Sequence, residues 1–226
     1  ISIKLKSFSI RQLVVIVKDG YLLIFITLLM SIYTRIDVIL LEQLLVDGKV
    51  QCGSFALSHR VIDSAYNSLA LLSVFLLPTV AFHFTEKKYD YIRRVILYSF
   101  IASTVLSLGF IVLCFFGADK IYGYLYPISK PIDVTIFKTH LWTVLGVGWM
   151  YVFGSYLTAI GKFKILLIIV FIGLILSLVL NFQLIPSQKA IGAVRAASIV
   201  QLSMGVLHML GALYYLFKYK VDASHN

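Results

Sequence analysis

The chain has 226 residues, of which 60% are hydrophobic and only 13% are charged, and its mean hydropathy is +0.95. Soluble domains are about half apolar and about a quarter charged, so this composition excludes an ordinary soluble domain and predicts an integral membrane protein. The net charge of +10 lies mostly in the loops, so we attribute it to membrane topology and expect no nucleic-acid partner. Cys52 and Cys114 form neither a metal-ligand spacing nor a disulfide framework, and we predict no metal or cofactor.

Six apolar runs are long enough to cross the bilayer, because each holds the ~20 residues that a ~30 Å hydrocarbon core requires. They cover residues 21–45, 54–84, 95–116, 140–160, 165–185 and 196–217. Their continuity favours helices over the alternating segments of a β-barrel. We therefore predict an all-α integral membrane fold, with a six-helix transmembrane bundle over residues 20–217. Residues 1–19 would form a cytoplasmic amphipathic linker or a simple interfacial helix, and residues 218–226 a cytoplasmic tail.

Lysine and arginine are distributed unequally between the two sides of this bundle. The set of loops that includes both chain ends holds about twice as many basic residues as the alternate set, which predicts that both ends are cytoplasmic. The longest external loop would then run from Gly117 to Thr139. Its tyrosines and prolines indicate an interfacial aromatic belt or, alternatively, an aromatic ligand patch.

Four charged residues lie inside the first two runs: Arg35 and Asp37 in the first, Arg60 and Asp63 in the second. A charge at bilayer depth costs roughly 2.5–3.5 kcal/mol on insertion scales, so such residues face protein or a water-filled cavity. At 1.5 Å of rise per residue the four groups fall in one layer of a helical hairpin. Cross-helix pairs of Arg35 with Asp63 and of Asp37 with Arg60 would neutralise that layer.

Two interpretations of the charged layer remain open. It is either a closed, neutral ion network or a hydrated cavity in which an arginine stays available to an anionic substrate. Arginine suits phosphate because its planar fork binds two oxygens and stays protonated. His59 faces about 100° away from Arg60, and a packed histidine is a simpler interpretation than a proton relay. Asn181 and Gln201 should hydrogen-bond to neighbouring helices, and Gly146 should allow close helix approach or act as a hinge.

Several segments resemble the second lobe of polysaccharide flippases, which belong to the multidrug/oligosaccharidyl-lipid/polysaccharide exporter superfamily. The resemblance covers nearly the whole chain in span order. The segments are 31–41 (SIYTRIDVILL), 53–63 (GSFALSHRVID), Leu77-Pro78, 181–186 (NFQLIP) and 190–193 (AIGA). Arg195 departs from the small residues usual after the last segment, which indicates an interfacial position or looser packing there.

The resemblance implies one lobe of a two-lobe exporter, with a first lobe preceding Ile1. It also implies that the protein is not an enzyme and moves a lipid-linked oligosaccharide across the bacterial inner membrane by alternating access. Arg35 and Arg60 would bind the pyrophosphate in the cavity, and Asp37 and Asp63 would be their charge partners or would couple an ion. Membrane lipids and the missing N-terminal lobe would be the other partners.

Other functions stay open beside this one. A cation-coupled multidrug exporter of the same superfamily would favour an acidic, aromatic cavity, whereas the charged layer holds two arginines and two aspartates. A membrane glycan polymerase or acyltransferase would need a large external domain or a catalytic His/Asp spacing, and the predicted external loop is too short for a domain. A purely structural half-bundle would leave the charged layer fully paired.

Overall fold

A computed structural model describes residues 10–224 and the side chains of residues 20–219. Helices form throughout that part of the chain, and no strand occurs in it. The helices are α1 (Ile10–Tyr33), α2 (Ile36–Leu44), α3 (Gly48–Thr85), α4 (Tyr89–Leu125), α5 (Pro131–His140), α6 (Thr143–Ala159) and α7 (Phe163–Ser224). The predicted all-α class is therefore confirmed. The predicted linker lies partly outside the described residues, because α1 begins at Ile10.

Four stretches are long and apolar enough to cross a membrane: Gly20–Leu44, Gly48–Thr85, Tyr89–Leu125 and Phe163–Tyr219. The first three coincide with the first three predicted spans and extend the second and third at both ends. The first stretch is not one helix, since α1 ends at Tyr33 and α2 begins at Ile36. The predicted bundle of six separate helices is not confirmed. The fourth predicted span corresponds to α6, which has only 17 residues and is not among the four long stretches, and the last two predicted spans are joined in α7.

The predicted external loop from Gly117 to Thr139 is wrong, because most of it is helical. Helix α4 continues to Leu125, and α5 begins at Pro131 after a short turn. Tyr122 is only 1% exposed, and its ring centroid lies 5.2 Å from that of Phe137. At least this tyrosine belongs to the core instead of an interfacial belt. Hydropathy missed these helical turns because Asp119, Lys120 and Lys138 interrupt the apolar pattern.

The last two predicted spans form α7, which turns sharply at Lys189 (φ 54°, ψ −134°). A positive φ is costly for a residue with a long side chain, by about 1–3 kcal/mol, and needs support from its surroundings. Lys189 Nζ donates to Asp47 Oδ2 at 2.9 Å, and Ala190 N donates to Gln51 Oε1 at 3.4 Å. The hydrogen bonds from Lys189 and Gln51 lower the pKa of Asp47. This turn therefore lies against the turn between α2 and α3.

Three apolar clusters hold the helices together. The first cluster joins α1, the ends of α3 and α6, the start of α4 and parts of α7. The second joins α3, α4 and α5. The third joins α2, the start of α3 and the middle of α7. Helices α6 and α7 approach most closely at Gly146 and Gly205. A Cβ at Gly146 would collide with the backbone of Gln201, and one at Gly205 would lie 2.8 Å from the Gly146 carbonyl oxygen. Close approach at Gly146 is therefore confirmed.

Candidate functional site

The first span breaks at Thr34 and Arg35, inside the predicted charged layer. Thr34 N still donates to Met30 O at 3.0 Å, but Arg35 N bonds only three residues back, to Ile32 O at 3.1 Å. Arg35 is the residue before α2, with φ −113° and ψ −12°. Inside a membrane, backbone that leaves regular helix geometry is tolerated where it is buried in protein or lines a cavity.

A polar cavity of about 190 Å³ lies at this break. It is bounded by α2, α3, α5, α6 and α7, close to where the three apolar clusters meet. Its lining is formed by Thr34, Arg35, Asp37, Phe55, His59, Asp63, Tyr66, His140, Thr143, Ala197 and Gln201. Three of the four predicted charged residues therefore share one cavity, and we refer to it as the polar cavity.

Asp37 is the most buried charged residue of this cavity, with 7% of its surface exposed. Asn181 Nδ2 donates to Asp37 Oδ1 at 2.6 Å, and Ser177 Oγ donates to the same oxygen at 3.3 Å. Asn181 Nδ2 also lies 2.9 Å from Ser177 O, whereas the buried Asn181 Oδ1 has no partner among the described side chains. The cluster is thus rich in acceptor oxygens and contains no cationic side chain. Asn181 bonds to a neighbouring helix, as predicted.

Asp63 contacts a histidine instead of an arginine. His59 Nε2 lies 3.2 Å from Asp63 Oδ1, one helical turn away on α3. The His59 ring stacks on His140, with 5.7 Å between the centroids, and His140 Nδ1 lies 2.8 Å from Ser58 Oγ. His59, expected as a packed histidine, is thus packed against His140 and also lines the polar cavity. The i, i+4 spacing of His59 and Asp63 was a usable sequence signal, whereas nothing local indicated His140.

The predicted cross-helix pairs do not form among the described residues. Asp37 is bonded by Asn181 instead of Arg60, and Asp63 by His59 instead of Arg35. Arg35 and Arg60 are both exposed, and only Arg35 lines the polar cavity. The ion-network interpretation therefore fails for these four residues. A substrate-binding role for Arg35 or Arg60 stays a prediction.

Two tyrosine hydroxyls bond to residues of the cavity wall: Tyr66, which itself lines the cavity, and Tyr33, which does not. Tyr66 Oη donates to Thr143 Oγ1 at 2.6 Å, and Thr143 Oγ1 donates to His140 O at 2.7 Å. Tyr33 Oη donates to Gln201 Oε1 at 3.4 Å, so Gln201 bonds across helices as predicted. These bonds hold α3 to α6 and α1 to α7 on opposite sides of the cavity. No group of three potential metal ligands occurs among the described residues.

Long apolar helices around a polar cavity define a multi-pass membrane protein, and a span broken at such a cavity is typical of membrane transporters. The chain belongs to the MatE family, whose profile matches residues 23–183.

Arg195, the residue at which the sequence departs from the flippase pattern, is exposed and donates to Gln188 Oε1 at 2.6 Å, while Ala196 and Ala197 beside it are buried. The looser packing that Arg195 could have indicated is therefore not seen at Ala196 and Ala197.

One solved structure has the same fold. It is described as the outward-facing conformation of a multidrug resistance MATE family transporter of the MOP superfamily, and it superposes with a TM-score of 0.71 at 20% sequence identity. The match covers 89% of this chain and 44% of the other, so this chain spans less than half of that transporter's length. No curated protein matches the sequence.

Proposed function

We propose that this chain is one lobe of a flippase that moves polyprenyl-pyrophosphate-linked oligosaccharides across the bacterial inner membrane for surface polysaccharide synthesis. The lobe would work by alternating access with a second, N-terminal lobe. In this arrangement residues 20–217 are the transmembrane bundle, residues 1–19 the linker between lobes and residues 218–226 the tail, with both ends cytoplasmic. The 44% coverage of the matched transporter supports a half-transporter, and the basic loops support the orientation.

The observation that carries this proposal is the position of Arg35. It lies at the helix break, lines the polar cavity and is exposed, and it has no ion-pair partner among the side chains of residues 20–219. An arginine held at membrane depth without a carboxylate partner is costly. A pyrophosphate would supply the missing charge through bidentate hydrogen bonds.

The size of the polar cavity supports a shared site. Ligand sites of drug-sized molecules measure about 300–1,000 Å³, whereas this cavity measures about 190 Å³. That volume accommodates a phosphate group and leaves the glycan to be enclosed by both lobes. Arg60 is exposed and directly follows His59 in α3, and we propose that it contacts the same substrate once the second lobe is present.

The Asp37 cluster supports coupling to a cation. Asp37 and Asn181 place carboxylate and amide oxygens together, buried, with one oxygen unpartnered. A proton or a small hard cation satisfies such oxygens. We propose that cation binding at Asp37, on α2, is linked to movement of the neighbouring Arg35. Asp63, paired with His59, is a second candidate for the same role.

A cation-coupled multidrug exporter of the same superfamily is the second candidate function. It is favoured by the same buried Asp37 and by the fold shared with a multidrug resistance transporter. In that case Arg35 would not bind substrate, and the aromatic residues Phe55 and Tyr66 of the cavity would contact a cationic drug.

Replacement of Arg35 in the intact transporter separates the two candidates. We expect Arg35→Ala to abolish surface glycan while the protein still reaches the membrane, and Arg35→Lys to retain part of the display, since lysine keeps the charge but not the fork. Lys49→Ala is the matched control, because Lys49 is an exposed cation that does not line the cavity. Glycan would be scored by gel staining and ethidium efflux by fluorescence. A normal amount of surface glycan in Arg35→Ala would reject the flippase hypothesis. Loss of ethidium efflux in Asp37→Asn, with a normal amount of surface glycan, would support the exporter hypothesis.

A further inference from the structure

A second, larger cavity of about 580 Å³ lies between the first half of α4 and the last turns of α7, with Phe153 of α6 at its base. It shares no lining residue with the polar cavity. We refer to it as the lateral groove. Leu97 is 54% exposed and Phe217 58% exposed, so the groove opens sideways through its rim, towards the lipid.

The lateral groove is apolar along its length and basic at one end. Ile96, Leu97 and Phe100 of α4 face Leu213 and Phe217 of α7. This surface suits a hydrocarbon chain.

The basic end of the groove is formed by Arg93 and Arg94, in the first two turns of α4. Asp90 is the acidic residue of the lining, and its Oδ1 lies 4.0 Å from Arg93 Nη1, at the limit of an ion pair. Arg94 is exposed and pairs with no carboxylate among the described side chains. The formal charge at this end is therefore +1, and the Arg94 guanidinium is available to a phosphate.

The length of the groove matches one leaflet of a bilayer. From Tyr89, where α4 begins, to Phe100 there are eleven residues, or ~16 Å of helix at 1.5 Å per residue. Half of a ~30 Å hydrocarbon core is ~15 Å. When Phe100 lies near the bilayer centre, Arg93 and Arg94 are ~10 Å from it along the helix, and their long side chains reach the headgroup level by extending towards the surface.

We propose that the lateral groove binds an anionic glycerophospholipid, with one acyl chain against Phe100 and Phe153 and the phosphate between Arg93 and Arg94. Basic pockets between transmembrane helices bind anionic headgroups in this way. A free phosphate would not use the apolar wall. A zwitterionic lipid, whose headgroup cation offsets its phosphate, would gain less from the unpaired arginine. The bound lipid joins α4 to the end of α7 and so stabilises that side of the bundle. This inference does not depend on the transported substrate.

The test uses the intact transporter in mixed micelles, with phosphatidylglycerol or phosphatidylcholine added. Binding would be counted by native mass spectrometry, and stability followed by the thermal unfolding midpoint. We expect phosphatidylglycerol to bind more tightly than phosphatidylcholine and to raise the midpoint. At roughly 1 kcal/mol per basic residue near a membrane surface, Arg94→Gln should weaken phosphatidylglycerol binding about fivefold and Arg93→Gln/Arg94→Gln about thirtyfold.

The control removes the same charge from the same end of the molecule. Lys87→Gln/Lys164→Gln alters two exposed lysines outside the groove and should leave phosphatidylglycerol binding unchanged. Leu97→Trp fills the groove, keeps both arginines and should also weaken binding. The proposal is wrong if all variants keep the wild-type preference, if the lysine control loses it equally, or if inorganic phosphate alone reproduces the rise in midpoint. If the double variant does not fold, Arg94→Gln and Leu97→Trp decide the outcome.

Discussion

Replacing Asn181 by alanine tests the buried cluster around Asp37 most directly. The change removes an amide that donates to Asp37 Oδ1 at 2.6 Å and to Ser177 O at 2.9 Å. It leaves Asp37 with the 3.3 Å contact from Ser177 Oγ. The Asn181 Oδ1 atom has no partner among the described side chains, so its loss breaks no acceptor contact.

The expected magnitude follows from the charge on Asp37. A hydrogen bond to a charged group contributes about 1.5–3 kcal/mol, whereas neutral polar contacts between transmembrane helices average about 0.6 kcal/mol. We therefore expect Asn181→Ala to lower the free energy of unfolding by about 2 kcal/mol. In an Asp37→Asn background the same change should cost only about 0.6 kcal/mol, which gives a coupling of roughly 1.4 kcal/mol in a double-mutant cycle.

The assay is reversible unfolding of the purified intact transporter in mixed micelles, followed by helical circular dichroism. Asn67→Ala is the matched control, because Asn67 is an exposed asparagine on a spanning helix, and we expect it to change stability by less than about 0.5 kcal/mol. An Asn181→Ala variant that unfolds like the control would refute the buried Asp37–Asn181 contact. A loss of stability that is equal in both Asp37 backgrounds would refute the coupling.

Two further changes test the packing between helices. Gly146→Leu should reduce the fraction of monodisperse protein in size-exclusion chromatography, because any side chain there meets the α7 backbone and overpacking costs about 1–3 kcal/mol. Gly109→Leu is the control and should leave that fraction unchanged, because Gly109 faces open space. Equal elution profiles for the two variants would contradict the close approach. Lys189→Gln should lower the unfolding midpoint at pH 7, and the effect should shrink as the medium is acidified. The pKa of Asp47 is lowered in the folded state, so the contribution of the ion pair is lost as pH falls through that pKa. A pH-independent effect would contradict the ion pair.

Hydropathy predicted the transmembrane segments well because burial in lipid is a local property of the chain. The first three spans, the turn near Asp47 and the turn near Lys189 all follow from the order of apolar and polar residues. The break at Arg35 was not predicted, since its sequence is compatible with continuous helix. It lies where helices distant in sequence enclose the polar cavity, and local sequence carries no signal of that.

The pairing of charged residues could not be predicted from local spacing. Asp37 and Asn181 are 144 residues apart, and only the packing of α2 against α7 brings them together. Charge complementarity favoured arginine partners for both aspartates, but the structure provides an amide for Asp37 and a histidine for Asp63. The His59–Asp63 contact was accessible to sequence reasoning, because it lies within one helix.

The close contact between α6 and α7 at Gly146 and Gly205 limits how this half of the molecule can change shape. Sliding one helix along the other by about one turn would bring Thr143 or Met150, which lie on the same helix face, to the position of Gly146, where there is no room for a side chain. The contact therefore resists sliding of α6 against α7. A wider polar cavity is reached at less cost by displacing α2 and α3, which line it on the other side of the break at Thr34 and Arg35.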